Sequence, residues 1–515
     1  MAISPSRNTP LLSNYKCILI CVAMALANFQ YGFDASALAG FQAMPGFLRV
    51  FGYPDPTARS GWNIATRPQQ LISSTLNIGT IVGVCMTGVF ARFLGRRPAI
   101  WAAACVAFVG AGIQVGATSI GALCVGRVLI GVSNAFFFTF SNGVVASLFG
   151  VWVGLGSVLG SVADERTAGY EGRLAYQIPL AALYVIPATL SVLVVFVPES
   201  PRWLLVKGRP AEAERSLRRL RGDSLEKEFF AEEFTEMQRG IGEEKALARS
   251  AELWDMFRGT DRRRTIITLG VTLSHSSSGL WLFIAYGTFF LQTAGIQDSF
   301  LFSVYYQLAG MVGTMGGMYL TYKVLGRRTM MLTGTAAASL CMFGAALADT
   351  IKPGSPESGK AIVAFIIIYH FLQIGFAGTL SYPLSGEIPS SRLRVQTLAF
   401  STAINQFFAW LTTFCTPYFI NSKALNWGGR YCWIWAASNA ITFVFFYFML
   451  PEVKGRSLEE IDELFQKGVS VRDFPTYECA SSTRAHDIAV EKIKANEEVR
   501  VEEVEKSSTE ARGPI

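Results

Sequence analysis

Long apolar stretches of about twenty residues, arranged in two groups on either side of a charged segment, restrict what this chain can fold into. About 20 apolar residues make one helix across the roughly 30 Å hydrocarbon core of a bilayer. The apolar runs are continuous and do not alternate with polar residues, so they predict helices and disfavour a transmembrane barrel. Two membrane-embedded halves joined by a polar linker are therefore expected.

Composition supports a membrane protein and disfavours other classes. Hydrophobic residues make up 51% of the 515 residues and charged residues 16%, whereas soluble domains carry about 25% charged residues. The net charge of +7 does not indicate nucleic-acid binding, because the basic residues lie mostly in breaks between apolar stretches. The nine cysteines lack paired or metal-binding spacing and are interpreted as free thiols. Phosphate-binding loops and nucleophile triads are also missing, so we expect a non-enzyme with no metal and no cofactor.

The order of apolar and polar stretches predicts an all-α membrane protein with twelve helices in two pseudo-symmetric six-helix halves. The predicted segments are a tail (1–15), a first half (16–197), a linker (198–264), a second half (265–450) and a tail (451–515) that is disordered from about 474. The predicted spans include 16–41, 71–91, 98–118, 119–142, 143–163, 174–197, 265–291, 300–322, 329–348, 361–383, 396–420 and 431–450. The alternating charges of the linker favour surface helices.

Basic residues in alternate breaks predict the orientation of the chain. They are Arg92, Arg96, Arg97, Lys323, Arg327, Arg328, Arg392 and Arg394. Breaks rich in Lys and Arg remain on the cytoplasmic side of a membrane. The linker and both termini are therefore expected in the cytoplasm, with the protein in the plasma membrane.

The two halves repeat one another, and the repeat shows a shortfall. LGRRP at 94–98 returns as LGRRT at 325–329, and Pro-Glu at 198–199 returns at 451–452. The first repeat covers 103 residues from Gly95 to Pro198, against 125 from Gly326 to Pro451, so the first half is 22 residues shorter. Residues 128–163 carry no charge, and Asn142-Gly143 is the turn-like dipeptide among them. Either a very short hairpin joins spans four and five, or the sequence has lost a short exon.

Asp34 and Arg127 lie inside apolar spans and require an explanation. A charged residue in the centre of a membrane helix costs about 2.5–3.5 kcal/mol on insertion scales. If both face the interior they can pair, and a carboxylate that alternates between arginine and a proton can couple proton movement to a substrate. The alternative is a purely structural ion pair.

Other charged residues in the breaks are candidates for salt bridges between the halves, which would close a cytoplasmic gate. They are Arg96, Arg97, Glu199, Arg202, Arg327, Arg328, Glu387, Arg394 and Glu452. Anchoring by positive charge alone explains some of the arginines but not Glu387. Pro383 and Pro389 are expected to bend or end span ten.

A set of polar and aromatic residues is typical of a sugar site, in which rings stack on the sugar and amides bond to its hydroxyls. The set comprises His275, Tyr286, Tyr382, Asn405, Gln406 and Trp410. Each residue alone is compatible with ordinary packing, and His275 among serines is more typical of a satisfied packing residue than of a proton carrier.

Several motifs resemble those of the sugar porter family of the major facilitator superfamily. They are YGFD (31–34), GRR in both halves, GRVLIG (126–131), PESPRWLL (198–205), EIPSSRLR (387–394) and PEVKGRSLEEIDELF (451–465). The resemblance covers about 31–465 and is greatest to fungal sugar:proton symporters of the α-glucoside branch. It implies two six-helix halves, each a 3+3 inverted repeat, around a central site exposed alternately to either side.

The resemblance also implies roles for single residues. Asp34 takes the position of the proton-site aspartate, with Arg127 as its partner, and Tyr31 takes that of an aromatic residue facing the site. Tyr382 stands where an aromatic site residue is usual, and Asn405-Gln406 where a Gln-Trp pair is usual.

Other positions depart from the family pattern. The glutamine pair of span seven falls on His275-Ser276, and a nearby asparagine falls on Trp281. The glutamine of span five falls near Gly150 and the asparagine of span eight near Met311. The acidic-basic motif between spans four and five is missing. The fold survives these departures, but ordinary hexose recognition does not follow from them.

The leading hypothesis is proton-coupled uptake of a mono- or disaccharide or a related polyol by a monomer, driven by the proton gradient. The rival is a non-transporting sugar sensor with the same fold. A sensor is expected to carry a long cytoplasmic extension, whereas the tail after Phe474 has only about forty residues.

The short junction at Asn142-Gly143 generates a prediction. Inserting an acidic-basic loop of roughly 15–22 residues there should raise transport, because the first half would regain charges matching Glu387 and Arg394. The measurement is the initial uptake rate of the two versions at equal expression. If the intact transcript lacks such a loop and the chain without the insertion already transports at full rate, the proposed effect of the missing charges is contradicted.

Overall fold

The computed structural model describes residues 15–56, 61–93, 95–141, 149–170, 172–221, 227–249, 252–477 and 479. The predicted junction at 142–143 and the tail beyond 479 lie outside these residues. All statements about structure below refer to the described part of the chain.

The first half consists of long helices joined by short connections. Its elements are α1 (Tyr15–Phe41), α2 (Pro45–Phe51), β1 (Tyr53–Pro54), β2 (Trp62–Asn63), α3 (Thr66–Phe93), α4 (Arg96–Gly116), α5 (Ile120–Ser141), α6 (Phe149–Thr167), α7 (Leu174–Ala182) and α8 (Val185–Phe196). The strands pair as an antiparallel hairpin, with Tyr53 opposite Asn63. We call the end of the bundle that carries this hairpin the hairpin end.

The second half repeats this plan with more interruptions. Its elements are α12 (Gly259–Ser277), α13 (Leu280–Thr293), α14 (Ser299–Lys323), α15 (Arg327–Ile351), α16 (Pro356–Leu372), a π-helical segment (Gln373–Gly378), α17 (Thr379–Glu387), α18 (Arg394–Ile420) and α19 (Cys432–Met449). Pro383 lies inside α17, which continues to Glu387, so the interruption of span ten is the π segment and not the proline.

Short helices form the segment between the halves and the segment after them. They are α9 (Pro201–Val206), α10 (Pro210–Arg221), α11 (Lys227–Arg249), a 3₁₀ turn (Leu253–Phe257) and α20 (Leu458–Gln466). The end of the bundle from which these helices emerge is called the linker end. Phe474 and Cys479 are buried in a cluster with Phe465, so packed structure extends past the position near 474 where disorder was expected.

The helices have the length and composition of a multi-pass membrane protein. Among the described residues, eight helical stretches of 21–35 residues are long and apolar enough to cross a bilayer. If α7–α8, α12–α13 and α16–α17 each count as one interrupted span, the described helices form six spans in each half. This confirms the predicted twelve-helix architecture. Span two begins earlier than predicted, at Thr66, and span ten is longer than predicted, from Pro356 to Glu387. Spans six and seven are each interrupted within the span.

Glycines allow the spans of the first half to approach one another closely. A Cβ at Gly156 of α6 would lie 2.2 Å from the Phe29 carbonyl oxygen of α1, and one at Gly32 would lie 2.0 Å from the Val153 carbonyl oxygen. Without a hydrophobic effect between helices in lipid, small residues stabilise association by permitting backbone contact. The backbones of α1 and α6 are therefore in direct contact.

In each half, a carboxylate just after the last span bonds to the start of the third span. The Glu199 carboxylate accepts hydrogen bonds from the backbone N–H groups of Arg96 (2.9 Å) and Arg97 (3.2 Å) at the start of α4. The Glu452 carboxylate accepts from Arg327 (2.9 Å) and Arg328 (3.0 Å) at the start of α15. An anion at a helix N-terminus satisfies free N–H groups and complements the helix dipole.

The break between α12 and α13 exposes a backbone carbonyl, and buried side chains satisfy it. Gly279 at the break has φ 86° and lies against Trp435, so the position requires glycine. The Ser278 carbonyl oxygen accepts bonds from the Tyr369 hydroxyl (2.9 Å) and Asn439 Nδ2 (3.0 Å). Irregular backbone at membrane depth is tolerated only where the protein satisfies it in this way.

The carboxylate contacts generate a stability prediction. Glu452→Ala should destabilise the second half by about 1–3 kcal/mol, because two N–H groups lose a charged acceptor. The measurement is thermal unfolding of the purified protein in detergent. Glu459→Ala, at an exposed position of α20, is the matched control. Identical melting of the two variants would contradict the proposed contribution of Glu452.

Candidate functional site

A buried ion pair joins the two predicted intramembrane charges. Arg127 Nη1 of α5 donates to Asp34 Oδ1 of α1 at 2.7 Å, and both side chains are at most 1% exposed. Asn134 Nδ2, two turns along α5, lies 3.5 Å from Asp34 Oδ2. Neither Nε nor Nη2 of Arg127 has a partner among the described residues. The carboxylate therefore has one strong cationic partner, which a proton on the carboxyl would displace.

A small cavity lies beside this pair at the centre of the bundle. Its volume is about 10 Å³, room for about one water molecule. The lining comes from both halves and comprises Tyr31, Ala35, Leu38, Ser73, Leu76, Asn77, Trp281, Ile284, Ala285 and Thr413. Tyr31 lies one turn before Asp34 on α1, so the cavity and the ion pair share a helix.

Aromatic rings from both halves meet on the linker side of this cavity. The His275 ring lies 5.7 Å from the Tyr382 ring and 6.3 Å from the Trp281 ring, measured between centroids. On the side of the first half, the rings of Phe138 and Phe149 each lie 6.2 Å from the ring of Tyr382. The rings form a surface suited to stacking on the apolar face of a sugar ring.

Polar atoms without partners lie next to these rings. Ser276 Oγ donates to Asn405 Oδ1 at 2.6 Å, which leaves Asn405 Nδ2 without a partner among the described residues. His275 Nδ1 and Trp281 Nε1 also have no hydrogen-bond partner in that part of the chain. Buried polar atoms of native proteins are normally paired, so these three are available to bond to substrate hydroxyls.

Tyr286 and Trp410 make no described ring contact with this group, although Trp410 Nε1 also has no hydrogen-bond partner among the described residues. The buried Tyr286 hydroxyl donates to the Thr413 carbonyl oxygen at 2.8 Å and lies 3.5 Å from that of Gln69, so it is already bonded between the halves. Sugar binding by Tyr286 stays a prediction. The Trp410 ring packs on Phe407 and Phe414 of its own helix. Gln406 is half-buried on α18.

The predicted gate charges form contacts within each half, not between halves. Glu199 bonds to α4, Glu452 bonds to α15, and Arg327 pairs with Glu387 of the same half. Arg394 Nη2 lies 3.5 Å from Ser391 Oγ, and Arg202 is exposed on α9. The expected salt bridges between halves are thus not among the described ion pairs. Glu199 and Glu452 instead satisfy the N-termini of α4 and α15 in their own halves.

Hydrogen bonds that join the halves lie at mid-membrane and towards the hairpin end. Described examples are Gln42 to the Ala285 carbonyl, Asn63 to Ser422, Asn77 to Thr413, Gln292 to the Ala43 carbonyl, Gln307 to Ser36, and Asn421 to the Ile64 carbonyl and Gln69. These contacts hold the hairpin end closed in this structure.

Several residues of the site escaped the sequence analysis. Asn134 lies seven residues after Arg127 on the same face of α5, a helical spacing that could have identified it. Phe138 extends that face by one further turn. Phe149 gave no such signal, because its contact with the predicted site residue Tyr382 joins helices more than two hundred residues apart.

Comparisons with known proteins identify the family of the chain. Residues 20–465 match the family described as "Sugar (and other) transporter". The alpha-glucosides permease MPH3 of Saccharomyces cerevisiae is 30% identical over 471 residues, covering 86% of this chain and 76% of the permease. The high glucose sensor RGT2 of the same yeast is 26% identical, covering 90% of this chain and 62% of the sensor.

The fold also matches a solved structure. The xylose transporter XylE from E. coli, in a partially occluded inward-open conformation, superposes with a TM-score of 0.70 at 17% identity, covering 86% of this chain and all of XylE. This likeness confirms the major facilitator fold. With the family match over most of its length, the chain belongs to the sugar transporter family.

Proposed function

We propose that this protein takes up a sugar together with a proton, by alternating exposure of the central site to the two sides of a membrane. The observation that carries the proposal is the buried Asp34–Arg127 pair, one helical turn from Tyr31 in the lining of the central cavity. The names of the relatives suggest an α-glucoside or a monosaccharide as substrate.

The geometry assigns a task to each part of the site. Protonation of Asp34 would release Arg127 and loosen the contact between α1 and α5, so occupancy by a proton changes the packing next to the cavity. His275, Trp281 and Asn405 offer free polar atoms, and the surrounding rings offer an apolar surface. Binding of a sugar needs both, and no bond-making step or cofactor is required.

Orientation follows from charge. The linker end carries Arg96, Arg97, Arg327 and Arg328, so it lies in the cytoplasm if lysine and arginine obey the usual asymmetry. The hairpin end, closed here, then faces outward. We place the protein in the plasma membrane as a monomer. A sensor would bind the sugar without moving it, and accumulation separates the two functions.

The first prediction concerns coupling. Asp34→Asn should abolish uphill accumulation of sugar and leave exchange measurable, because the amide cannot alternate between Arg127 and a proton. Uptake of a radiolabelled panel of glucose, xylose and maltose in transport-deficient yeast, with and without a protonophore, measures this. Glu357→Gln on the surface is the matched control. Undiminished accumulation by Asp34→Asn would remove Asp34 from coupling, and no uptake by the wild type would favour the sensor.

The second prediction concerns binding. Tyr382→Ala and Asn405→Ala should each weaken sugar binding by about 1–3 kcal/mol, because each removes a ring or a polar partner from the site. The measurement is the concentration dependence of exchange, or calorimetry on the purified protein. Phe408→Leu, on an exposed face of α18, is the control. Wild-type affinity in both site variants would place the sugar elsewhere.

A further inference from the structure

A second buried carboxyl lies against α1 at Gly40, six residues after Asp34 on that helix. Asp164, near the end of α6, is 2% exposed. Neither of its carboxyl oxygens has a hydrogen-bond partner among the described residues. A Cβ at Gly40 would lie 1.9 Å from Asp164 Oδ2, so the carboxyl packs directly on the backbone of α1. This acid therefore lies in a close-packed helix interface without a hydrogen-bond donor among the described residues.

The surroundings place this acid where the two halves meet. Tyr306 of α14, in the second half, is 1% exposed and interacts electrostatically with Asp164. Gln307, the residue after Tyr306, donates through Nε2 to Ser36 Oγ at 2.9 Å. Ser161 Oγ, about one turn before Asp164 on α6, lies 3.5 Å from the same Ser36 oxygen. The α6–α14 contact at the hairpin end thus contains a carboxyl, a phenol and a small polar network.

Charged and titratable groups on the adjoining helices do not neutralise Asp164. On α6, Glu165 pairs with the exposed Arg166 at 3.3 Å. On α1, Asp34 is occupied by Arg127. Tyr176 of α7 is buried, and the ring of His370 of α16 lies against that of Tyr306, with ring centroids 4.4 Å apart. A carboxylate buried without a cation or donors is unfavourable, and such a group takes up a proton instead.

We propose that Asp164 is a second proton-binding site, distinct from Asp34, whose protonation accompanies closure of the hairpin end. This inference rests on the proposed alternating access. When the halves separate at the hairpin end, the α6–α14 contact opens, water reaches Asp164, and the carboxyl releases its proton. Closure requires the proton to return from the same solution. The site therefore moves no net proton across the membrane, but it makes closure depend on the pH of the outer solution.

The first test detects the buried acid directly and needs no sugar. Purified wild-type protein is treated with dicyclohexylcarbodiimide, which modifies protonated carboxyls in apolar surroundings, over pH 5–9, and the α6 peptide is analysed by mass spectrometry. We expect modification at Asp164 that declines as the pH rises. The half-buried neighbour Glu165, which pairs with Arg166, should stay unmodified, and Glu165→Gln should label like the wild type. An unlabelled Asp164 at every pH would overturn the proposal.

The second test links the acid to opening. Hydrogen–deuterium exchange of the α6 and α14 peptides is compared between wild type and Asp164→Asn at each pH, so that intrinsic exchange cancels. The amide mimics the neutral acid without change of shape, so the wild type should open more than the variant as pH rises, and the two should agree at low pH. Equal exchange at all pH values would overturn the linkage. Loss of sugar uptake with labelling retained would count against the proposed function alone.

Discussion

Each backbone N–H and C=O inside a bilayer needs a partner within the protein, and the active region of this molecule depends on that constraint. Span seven breaks at Ser278-Gly279, and the break persists because Tyr369 and Asn439 bond to the freed Ser278 carbonyl. The break leaves His275 and Ser276 on one side and Trp281 on the other. The helix break, whose free carbonyl is hydrogen-bonded within the protein, thus brings these side chains to the centre of the bundle.

The kinds of contact within and between the halves indicate how the molecule can move. Glycine contacts hold α1 to α6, and the carboxylates of Glu199 and Glu452 hold each half together at the linker end. Contacts between the halves comprise hydrogen bonds among polar side chains and carbonyls, together with the ring contacts of Tyr382 with Phe138 and Phe149. Tight contacts within halves and replaceable contacts between them favour movement of the halves as rigid bodies over deformation within a half.

The sequence predicted those features that depend on local composition. Long apolar runs determine the spans, and the cost of an intramembrane charge made the pairing of Asp34 with Arg127 predictable. Long-range partners were not predictable: nothing near Tyr286 indicates that Thr413 and Gln69 occupy its hydroxyl. Glu199 and Glu452 were recognised as a repeat, but the pattern does not show which atoms the two carboxylates bond. In this structure they accept from the N-termini of α4 and α15, and a gate between the halves stays a prediction. Whether the site residues bind sugar remains a prediction.

The Glu199 contact also constrains the order of assembly during synthesis. Its acceptor oxygens meet N–H groups 103 and 102 residues earlier in the chain, and those of Glu452 reach back 125 and 124 residues. The amino terminus of α4 consequently lacks this acceptor while three further membrane crossings, α5, α6 and α7–α8, are synthesised. Each half gains its carboxylate contact only when Glu199 or Glu452, at the end of that half, has been added to the chain.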